Sequence, residues 1–222
     1  MRGFLYLFFY FPLLTFIFIL LYMPSKQTLI KQLTEEIYNL KKSPLYSYRV
    51  KNGYQPVIGA GSLDARFVLI GEAPGKNEAL SGNPFCGSSG KVLDQLLESI
   101  NLKREDVYIT SVVNDRPPEN RDPSPKEIGL YSPFLIRQLN IIQPRIIATL
   151  GRHSMNVILS QFGLENNIKP ISQNHGSSYK TKTTWGEVVI IPLYHPAVAL
   201  YNGSKRAILL EDFKMLKKFT NS

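Results

Sequence analysis

The sequence predicts an α/β fold with three layers, α/β/α, built on a central, mostly parallel sheet of four strands. Two observations lead to this prediction. Between residues 67 and 219, short apolar segments of strand length alternate with longer segments of helical periodicity. The chain of 222 residues is also long enough to bury one substantial core. Because such alternation is typical of parallel sheets, we expect helices on both faces of the sheet.

The predicted elements follow from the spacing of apolar residues along the chain. The strands are residues 67–70, 107–113, 145–150 and 188–192. The helices are residues 26–42, 88–100, 126–142, 153–162 and 204–219. Pro125 suits the first turn of the helix that follows it, because its fixed φ matches a helix start. Loops are expected at residues 41–56, which hold three tyrosines, and at residues 114–125, which are rich in proline and charge.

The amino-acid composition limits the kinds of partner and cofactor that we expect. The formal net charge of +9 favours an anionic partner, either nucleic acid or a membrane surface. The single cysteine, Cys86, excludes an internal disulfide bond and any metal or iron–sulfur site built from several cysteines. The three histidines lack the spacing of zinc ligands, so we predict no metal site.

The first 23 residues differ in composition from the rest of the chain. Residues 4–23 are almost wholly apolar and carry no charge, and about 20 such residues are enough to span a bilayer. One interpretation is a membrane anchor. The other is a misassigned start, with Met23 as the natural first residue. We therefore divide the chain into a hydrophobic segment, residues 1–23, and a folded domain, residues 24–222.

A glycine-rich turn at residues 71–90 follows the first predicted strand and leads into a helix. In an open α/β sheet, ligands bind beyond the carboxyl ends of the strands, so this turn should line a pocket. It carries Glu72, Glu78 and Phe85, together with exposed backbone N–H groups. Neither the P-loop spacing nor G-x-G-x-x-G is present. These groups suit a planar, polar, uncharged ligand better than a phosphate, and a turn without a chemical role is the alternative.

One of the three histidines, His195, lies directly after the last predicted strand. It therefore shares the carboxyl edge of the sheet with Glu72. Pro196 restricts the backbone next to it, and an imidazole held there is suited to donate a hydrogen bond to a carbonyl that gains negative charge. A structural role is the alternative for His195, and it is the favoured interpretation for His153 and His175.

Two polar segments near the same edge are candidates for contact with phosphates. Arg116 and Arg121 lie in the proline-rich loop after the second strand, where a rigid loop can hold a backbone phosphate. A solvated loop without such a role is the alternative. The second segment follows His195 and combines large apolar residues, which suit insertion between bases, with a helix start, which suits a phosphate. Its candidate residues are Leu200, Tyr201, Ser204 and Lys205.

Several short motifs now stand in a fixed order. They are G-E-A-P-G at residues 71–75 with a glutamate three residues later, G-x-P-F-x-G-x-x-G at 82–90, E-D-V-Y-I-T at 105–110, R-P-P-E-N-R at 116–121, residues 144–151, and H-P-A at 195–197. This series resembles the motifs of the family 4 uracil-DNA glycosylases. The resemblance covers most of residues 28–219, which is far more specific than any one motif.

The resemblance implies a role for each matching residue. Phe85 would stack on a uracil that has been flipped out of the DNA, and His195 would donate a hydrogen bond to uracil O2 as the base leaves. Glu72 and Glu78 occupy two acidic positions that help to build the pocket and hold the attacking water. The other positions implied in uracil binding are Gly71, Ala73, Gly75 and Ser111.

The chain departs from the family pattern at two places. Family members carry four cysteines that bind a [4Fe–4S] cluster, and the matching positions here are Leu40, Ser43, Asp115 and Tyr131. We therefore expect no iron–sulfur cluster, with Leu40 and Tyr131 filling its space. Ser111 stands where the family has an asparagine that reads the uracil edge. Because a serine hydroxyl is shorter and offers only one donor, we expect relaxed or reduced uracil specificity.

The function that the resemblance implies is DNA repair by a monofunctional uracil-DNA glycosylase. Such an enzyme flips uracil, or a related deaminated base, out of single- or double-stranded DNA and hydrolyses the N-glycosidic bond, which leaves an abasic site. We expect a monomer without metal or other cofactor. Its expected location is the cytoplasm, in association with the nucleoid, or the membrane if residues 4–23 form an anchor. The alternatives are a DNA-binding protein of the same fold without catalysis, and a membrane-anchored protein that uses the fold for another ligand.

Overall fold

The computed structural model describes residues 24–219, in which a six-stranded sheet forms the middle layer. Along the chain the strands are β1 (Ala60–Gly61), β2 (Phe67–Gly71), β3 (Val107–Ser111), β4 (Ile146–Leu150), β5 (Tyr179–Thr183) and β6 (Gly186–Leu193). Across the sheet their order is β1–β3–β2–β4–β6–β5. The β3, β2, β4 and β6 strands run parallel, whereas β1 and β5 pair antiparallel at the two edges.

The four central strands are the four that the sequence predicts, and their parallel arrangement is confirmed. The predicted number of strands is wrong, because the two antiparallel edge strands raise it from four to six. β1 has only two residues, too few to show a pattern. β5 has the sequence YKTKT and alternates between half-buried and exposed residues, so it lacks an apolar run. Its pairing with β6 across a tight turn holds it in the sheet.

Helices pack on both faces of this sheet. They are α1 (Lys26–Tyr38), α2 (Pro44–Lys51), α3 (Lys76–Ser81), α4 (Ser88–Glu98), α5 (Pro125–Ile142), α6 (Arg152–Gln161), α7 (Ile171–Asn174), α8 (Val198–Tyr201) and α9 (Gly203–Lys217). The five predicted helices correspond to α1, α4, α5, α6 and α9. Pro125 is the first residue of α5, as predicted, and Ser124 caps that helix.

The predicted loop at residues 41–56 is wrong, because it contains α2. The Oγ of Ser43 accepts a hydrogen bond from the backbone N–H of Leu45, 3.1 Å away, and Pro44 occupies the first helical position. These are strong local start signals. The helix has only two turns and little amphipathic character, so the spacing of its apolar residues did not indicate it. The short α3, of six residues, lies inside the segment that the sequence predicts as a glycine-rich turn.

The core has two halves, one on each side of the sheet, because neighbouring residues of a strand point to opposite faces. Val68 and Ile70 of β2 pack with α1, α5 and α6 on one face. Phe67 and Leu69 of the same strand pack with α4 and α9 on the other face. This arrangement confirms the three-layer architecture. It also leaves the carboxyl ends of the parallel strands free to form a site.

The hydrophobic segment predicted at residues 4–23 lies outside the described residues. Within residues 24–219, no helix is both long enough and apolar enough to cross a bilayer.

Candidate active site

A cavity of about 380 Å³ opens at the carboxyl ends of β2, β3 and β6. This volume lies within the usual range for small-molecule sites, about 300–1,000 Å³. The cavity is lined by six of the predicted site residues, Ala73, Gly75, Glu78, Phe85, Ser111 and His195. It is also lined by Val57, Pro74, Pro84, Ser89, Asn120 and Ala197, which the sequence analysis did not single out. The strand ends thus bring distant motifs into one pocket.

The side chains of Phe85 and His195 stack against each other at this cavity. Their ring centroids are 5.6 Å apart, with an angle of 27° between the ring planes. Phe85 is only 7% exposed, and Gly71 lies directly behind its ring. A Cβ atom at Gly71 would approach the Phe85 ring to 2.9 Å, so the end of β2 has no room for a larger residue. Gly71 therefore allows the Phe85 ring to pack closely against the end of β2.

His195 is held as a neutral imidazole. Burial lowers the pKa of His195 to about 4, although the nearby charge of Glu78 acts in the opposite direction. The Nδ1 atom accepts a hydrogen bond from the backbone N–H of Ala197 at 3.2 Å. Because Nδ1 acts as the acceptor, the single proton of the neutral ring resides on Nε2. His195 can therefore donate a hydrogen bond from Nε2 without carrying a charge.

The two glutamates of the glycine-rich turn occupy different places. Glu78, on α3, lines the cavity, and its Oε1 accepts a hydrogen bond from the backbone N–H of Gly87 at 3.1 Å. Glu72 is not among the residues that line the cavity. Its Oε1 instead lies 3.9 Å from Nε2 of His153. Of the two carboxylates, Glu78 is thus the one that can contact a ligand in the cavity.

Glu72 belongs to a charged cluster at the ends of β2 and β4. His153 lies 3.0 Å from Asp122, and the guanidinium of Arg152 donates to the same carboxylate at 2.9 Å. Burial raises the pKa of Glu72, whereas the His153 and Arg152 charges act to lower it. The ligand atoms of Glu72, Asp122 and His153 all lie within 4.8 Å of one another, a spacing that would suit a cation. The Arg152 guanidinium already supplies positive charge to this group.

Two polar side chains, one at the carboxyl end of β3 and one in the loop after it, line the cavity. Ser111, at the end of the strand, is buried. Asn120 comes from the R-P-P-E-N-R motif, and its Oδ1 accepts a hydrogen bond from Nε of Arg116 at 2.8 Å. This contact fixes the amide orientation and leaves the Nδ2 donor for other partners. The only signal for Asn120 in the sequence was its place inside a motif.

The two arginines predicted to contact DNA both have partners within the protein. Arg116 is 9% exposed and donates from Nη1 to the hydroxyls of Tyr48 and Tyr54, at 3.2 and 2.9 Å. Arg121 forms a two-pronged pair with the buried carboxylate of Glu127, at 2.8 and 2.6 Å. Nearly half of the Arg121 side chain remains exposed. Arg116 thus supports the loop that carries Asn120, and Arg121 is the more accessible of the two.

The segment after His195 begins at the cavity, which Ala197 lines, and continues to two exposed residues at the end of α8. Leu200 and Tyr201 are 44% and 88% exposed, and they end α8. Ser204 donates from its hydroxyl to the Oδ1 of Asn202 at 2.7 Å, next to the start of α9. Lys205 donates to the hydroxyl of Tyr194 at 3.1 Å. Large exposed side chains three and four residues after Ala197, which lines the cavity, are suited to wedge between bases.

The position of His175 agrees with the structural role favoured for it. Its Nδ1 lies 2.9 Å from both carboxylate oxygens of Asp212 on α9. Its ring also packs against Tyr194, with centroids 4.5 Å apart. Because Tyr194 directly precedes His195, this network fastens α9 to the end of β6.

The four positions that the sequence analysis assigns to the cluster cysteines, Leu40, Ser43, Asp115 and Tyr131, are all buried in the structure. The hydroxyl of Tyr131 donates to Asp115 at 2.5 Å and lies 3.0 Å from Oγ of Ser43. Arg49 pairs with Asp115 at 3.0 Å, and both side chains are almost fully buried. Burial raises the pKa of Asp115, while Tyr131 and Arg49 favour its charged form. Leu40 is also buried. These residues offer no thiolate and already bond one another, so they do not fit an iron–sulfur cluster.

The chain is similar in sequence to proteins of one family. The profile of the uracil DNA glycosylase superfamily matches residues 58–221. A type-4 uracil-DNA glycosylase of Sulfurisphaera tokodaii is 44% identical over 190 residues, which cover 85% of this chain and 84% of the relative. A type-4 uracil-DNA glycosylase of Archaeoglobus fulgidus is 41% identical over 187 residues, which cover 84% and 91% of the two chains.

A third relative shows the same extent of similarity. The type-4 uracil-DNA glycosylase of Saccharolobus solfataricus is 41% identical over 191 residues, which cover 86% of each chain. The profile match over residues 58–221 includes all six strands and the last helix. The chain therefore belongs to the uracil-DNA glycosylase superfamily.

Proposed function

We propose that this protein is a monofunctional uracil-DNA glycosylase. It flips uracil, or a related deaminated base, out of DNA and hydrolyses the N-glycosidic bond, which leaves an abasic site. The observation that carries the proposal is the cavity in which Phe85 and a neutral His195 meet. The names of the three relatives support the same activity.

The chemistry assigned to the cavity follows from its groups. The flipped base stacks on Phe85, and Nε2–H of His195 donates to its O2 carbonyl. As the glycosidic bond breaks, negative charge grows on this carbonyl, and a donor already in place stabilises that charge without reorganisation. Because the pKa of His195 is about 4, the ring is neutral at pH 7, and its Nε2–H donates without a positive charge on the imidazole.

The water that captures the sugar is assigned to the carboxylate of Glu78. This side chain lines the cavity, and the Gly87 N–H fixes one of its oxygens, which leaves the other free to orient a water. Among the described residues that line the cavity there is no lysine, so the site offers no amine for an imine with the sugar. These features support hydrolysis without strand cleavage.

We propose relaxed or reduced selectivity at the uracil edge. Ser111 offers a single short hydroxyl at the end of β3. The Asn120 amide lines the same cavity and is held by Arg116. A related deaminated base is therefore the second substrate to compare with uracil.

We further propose that the protein acts without an iron–sulfur cluster. The Ser43, Asp115 and Tyr131 side chains support this proposal, because they occupy three of the four assigned cysteine positions and bond one another and Arg49. Buried Leu40 occupies the fourth. The proposed partner is DNA that contains uracil, single- or double-stranded, bound by a monomer. The proposed location, given a DNA substrate, is the cytoplasm in association with the nucleoid.

The test uses the full chain and a labelled oligonucleotide with one uracil, single-stranded or opposite guanine. Alkali then cleaves any abasic sites. We expect excision by the wild-type protein, and a rate lower by roughly 10²–10³ in His195→Ala, as for the loss of one oxyanion donor. Phe85→Ala should lose the stacking surface and also excise slowly. Excision at the wild-type rate by His195→Ala would contradict the assigned chemistry.

A second outcome would select another function of the same fold. If the wild-type protein binds uracil-containing DNA but releases no base, it is a DNA-binding protein that has lost catalysis. Ser111 is the observation that favours this candidate, because it removes the amide that the family uses at the uracil edge. The substitution Ser111→Asn should then give a protein that excises uracil.

A further inference from the structure

The backbone of Phe85 adopts a conformation that an aromatic residue rarely takes. Its φ is +49°, in the left-handed region that favours glycine. A residue held there costs free energy, so the surrounding structure must impose the conformation. This backbone conformation sets the direction in which the Phe85 ring points into the cavity. Whatever fixes the backbone therefore also fixes the stacking surface.

One constraint on Phe85 comes from the start of α4. A Cβ atom at Gly90 would lie 1.7 Å from the carbonyl oxygen of Phe85. Only glycine permits so close an approach of the helix to the turn. The carbonyl oxygen of Phe85 therefore lies between α4 and the residues that precede β3.

Arg104 occupies that region and binds the turn directly. Its Nη2 donates to the carbonyl oxygen of Phe85 at 2.5 Å, and its Nη1 donates to the carbonyl oxygen of Pro84 at 3.1 Å. Its Nε pairs with the carboxylate of Asp94 on α4. The planar guanidinium thus uses three donors in a fixed geometry to join two adjacent carbonyls to a helix.

We propose that Arg104 is a positioning residue, which holds Phe85 in its left-handed conformation so that the ring is in place before a base arrives. Asp94 orients the guanidinium. The inference rests on the proposed function for the identity of the group that stacks on Phe85. The contacts themselves do not depend on that function, and Arg104 does not line the cavity.

The test combines catalysis with a reporter inside the turn. Cys86 directly follows Phe85, is exposed, and is the one cysteine of the chain. Its rate of reaction with an aromatic disulfide reagent therefore reports how firmly the turn is held. We compare wild type, Arg104→Gln, Arg104→Lys and Asp94→Asn. Lys103→Gln is the matched control, because the Lys103 side chain is exposed and its one ion pair within residues 24–219 is with exposed Glu105.

We expect Arg104→Gln to lower the single-turnover excision rate by on the order of ten- to a hundred-fold, while the Kd for DNA stays unchanged, because a small displacement of a positioning group costs that much. Cys86 should react several-fold faster in the same variant. Arg104→Lys keeps the charge but loses the fork, so its values should lie between those of Arg104→Gln and wild type. Asp94→Asn should change in the same direction, and Lys103→Gln should match wild type.

The outcomes separate this inference from the proposed function. Wild-type rates of both excision and Cys86 labelling in Arg104→Gln would overturn the role of Arg104. If the wild-type protein excises no uracil, the proposed function fails, and the labelling rates alone then support or overturn the inference. If Arg104→Gln does not fold, as judged from the fluorescence of Trp185, the Asp94→Asn and Arg104→Lys variants decide the question by the same two rates.

Discussion

The protonation state of His195 follows from its burial and from one hydrogen bond. Burial disfavours the imidazolium, and the Ala197 N–H occupies the lone pair of Nδ1. In the unfolded chain the pKa of a histidine is about 6.5. A chain that folds at low pH must therefore release a proton from His195. The burial that keeps His195 neutral therefore also makes the stability of the fold depend on pH.

We predict that His195 weakens the fold in acid. Its pKa in the folded state, about 4, lies below the unfolded value, so the unfolded chain binds more protons between these values. The stability contributed by neutral His195 is complete above about pH 6.5 and is lost as the pH falls through about 4. The Tm of wild type should therefore fall more steeply over this interval than that of His195→Gln. Parallel curves would contradict the pKa shift.

Some residues of the site were identified from the sequence, and others were not. Phe85 and His195 belong to short motifs at strand ends, so their meeting in one cavity follows from the topology. Arg104 and Asn120 act through contacts with residues far away in the chain, which no local pattern reports. The separation of Glu72 from the cavity depends on the start of α6, where His153 lies.

At the scale of elements, the buried network ties α2 to α5. Arg49 of α2 and Tyr131 of α5 both bond Asp115, which lies in the loop between β3 and α5. Burial of this ion pair costs solvation, so its partners depend strongly on each other. The two-turn α2 would have little stability by itself. The network therefore explains why a helix stands where the sequence pattern indicates a loop.

Loss of Asp115 should destabilise the protein severely. In Asp115→Ala, the Arg49 guanidinium stays buried without its carboxylate, which should cost about 3–5 kcal/mol. Urea unfolding followed by the fluorescence of Trp185, the one tryptophan, measures this change. The control is Glu211→Gln, which removes an exposed pair with Lys214 and should cost no more than about 1 kcal/mol. A loss in Asp115→Ala as small as that of the control would contradict the role of the network.

At the scale of the whole molecule, the parallel part of the fold was predictable and the edges were not. The four central strands are buried on both faces and read as apolar runs. The polar β5 depends on its partner β6, and the two-residue β1 depends on β3. Pairing of this kind is set by the tertiary structure, so the sequence pattern alone does not reveal it.

The whole protein should be colourless and free of iron. Purified under anaerobic conditions, it should show no broad visible absorption of an iron–sulfur cluster, and its iron and sulfide contents should be negligible. Uracil excision should be the same before and after treatment with an iron chelator. Stoichiometric iron in the purified protein, lost together with activity on chelation, would refute the proposal.

The order of strands in the sheet has a consequence for the protein during its synthesis. β6 lies next to β4, and His195 follows it, whereas Phe85 belongs to the turn after β2 near the middle of the chain. A nascent chain on the ribosome can therefore assemble β2, β3 and β4 before β6 and His195, which complete the cavity, have been translated. Until β6 docks, the turn at Phe85 faces no imidazole. A chain released early by the ribosome would accordingly lack the means to cut a base from DNA.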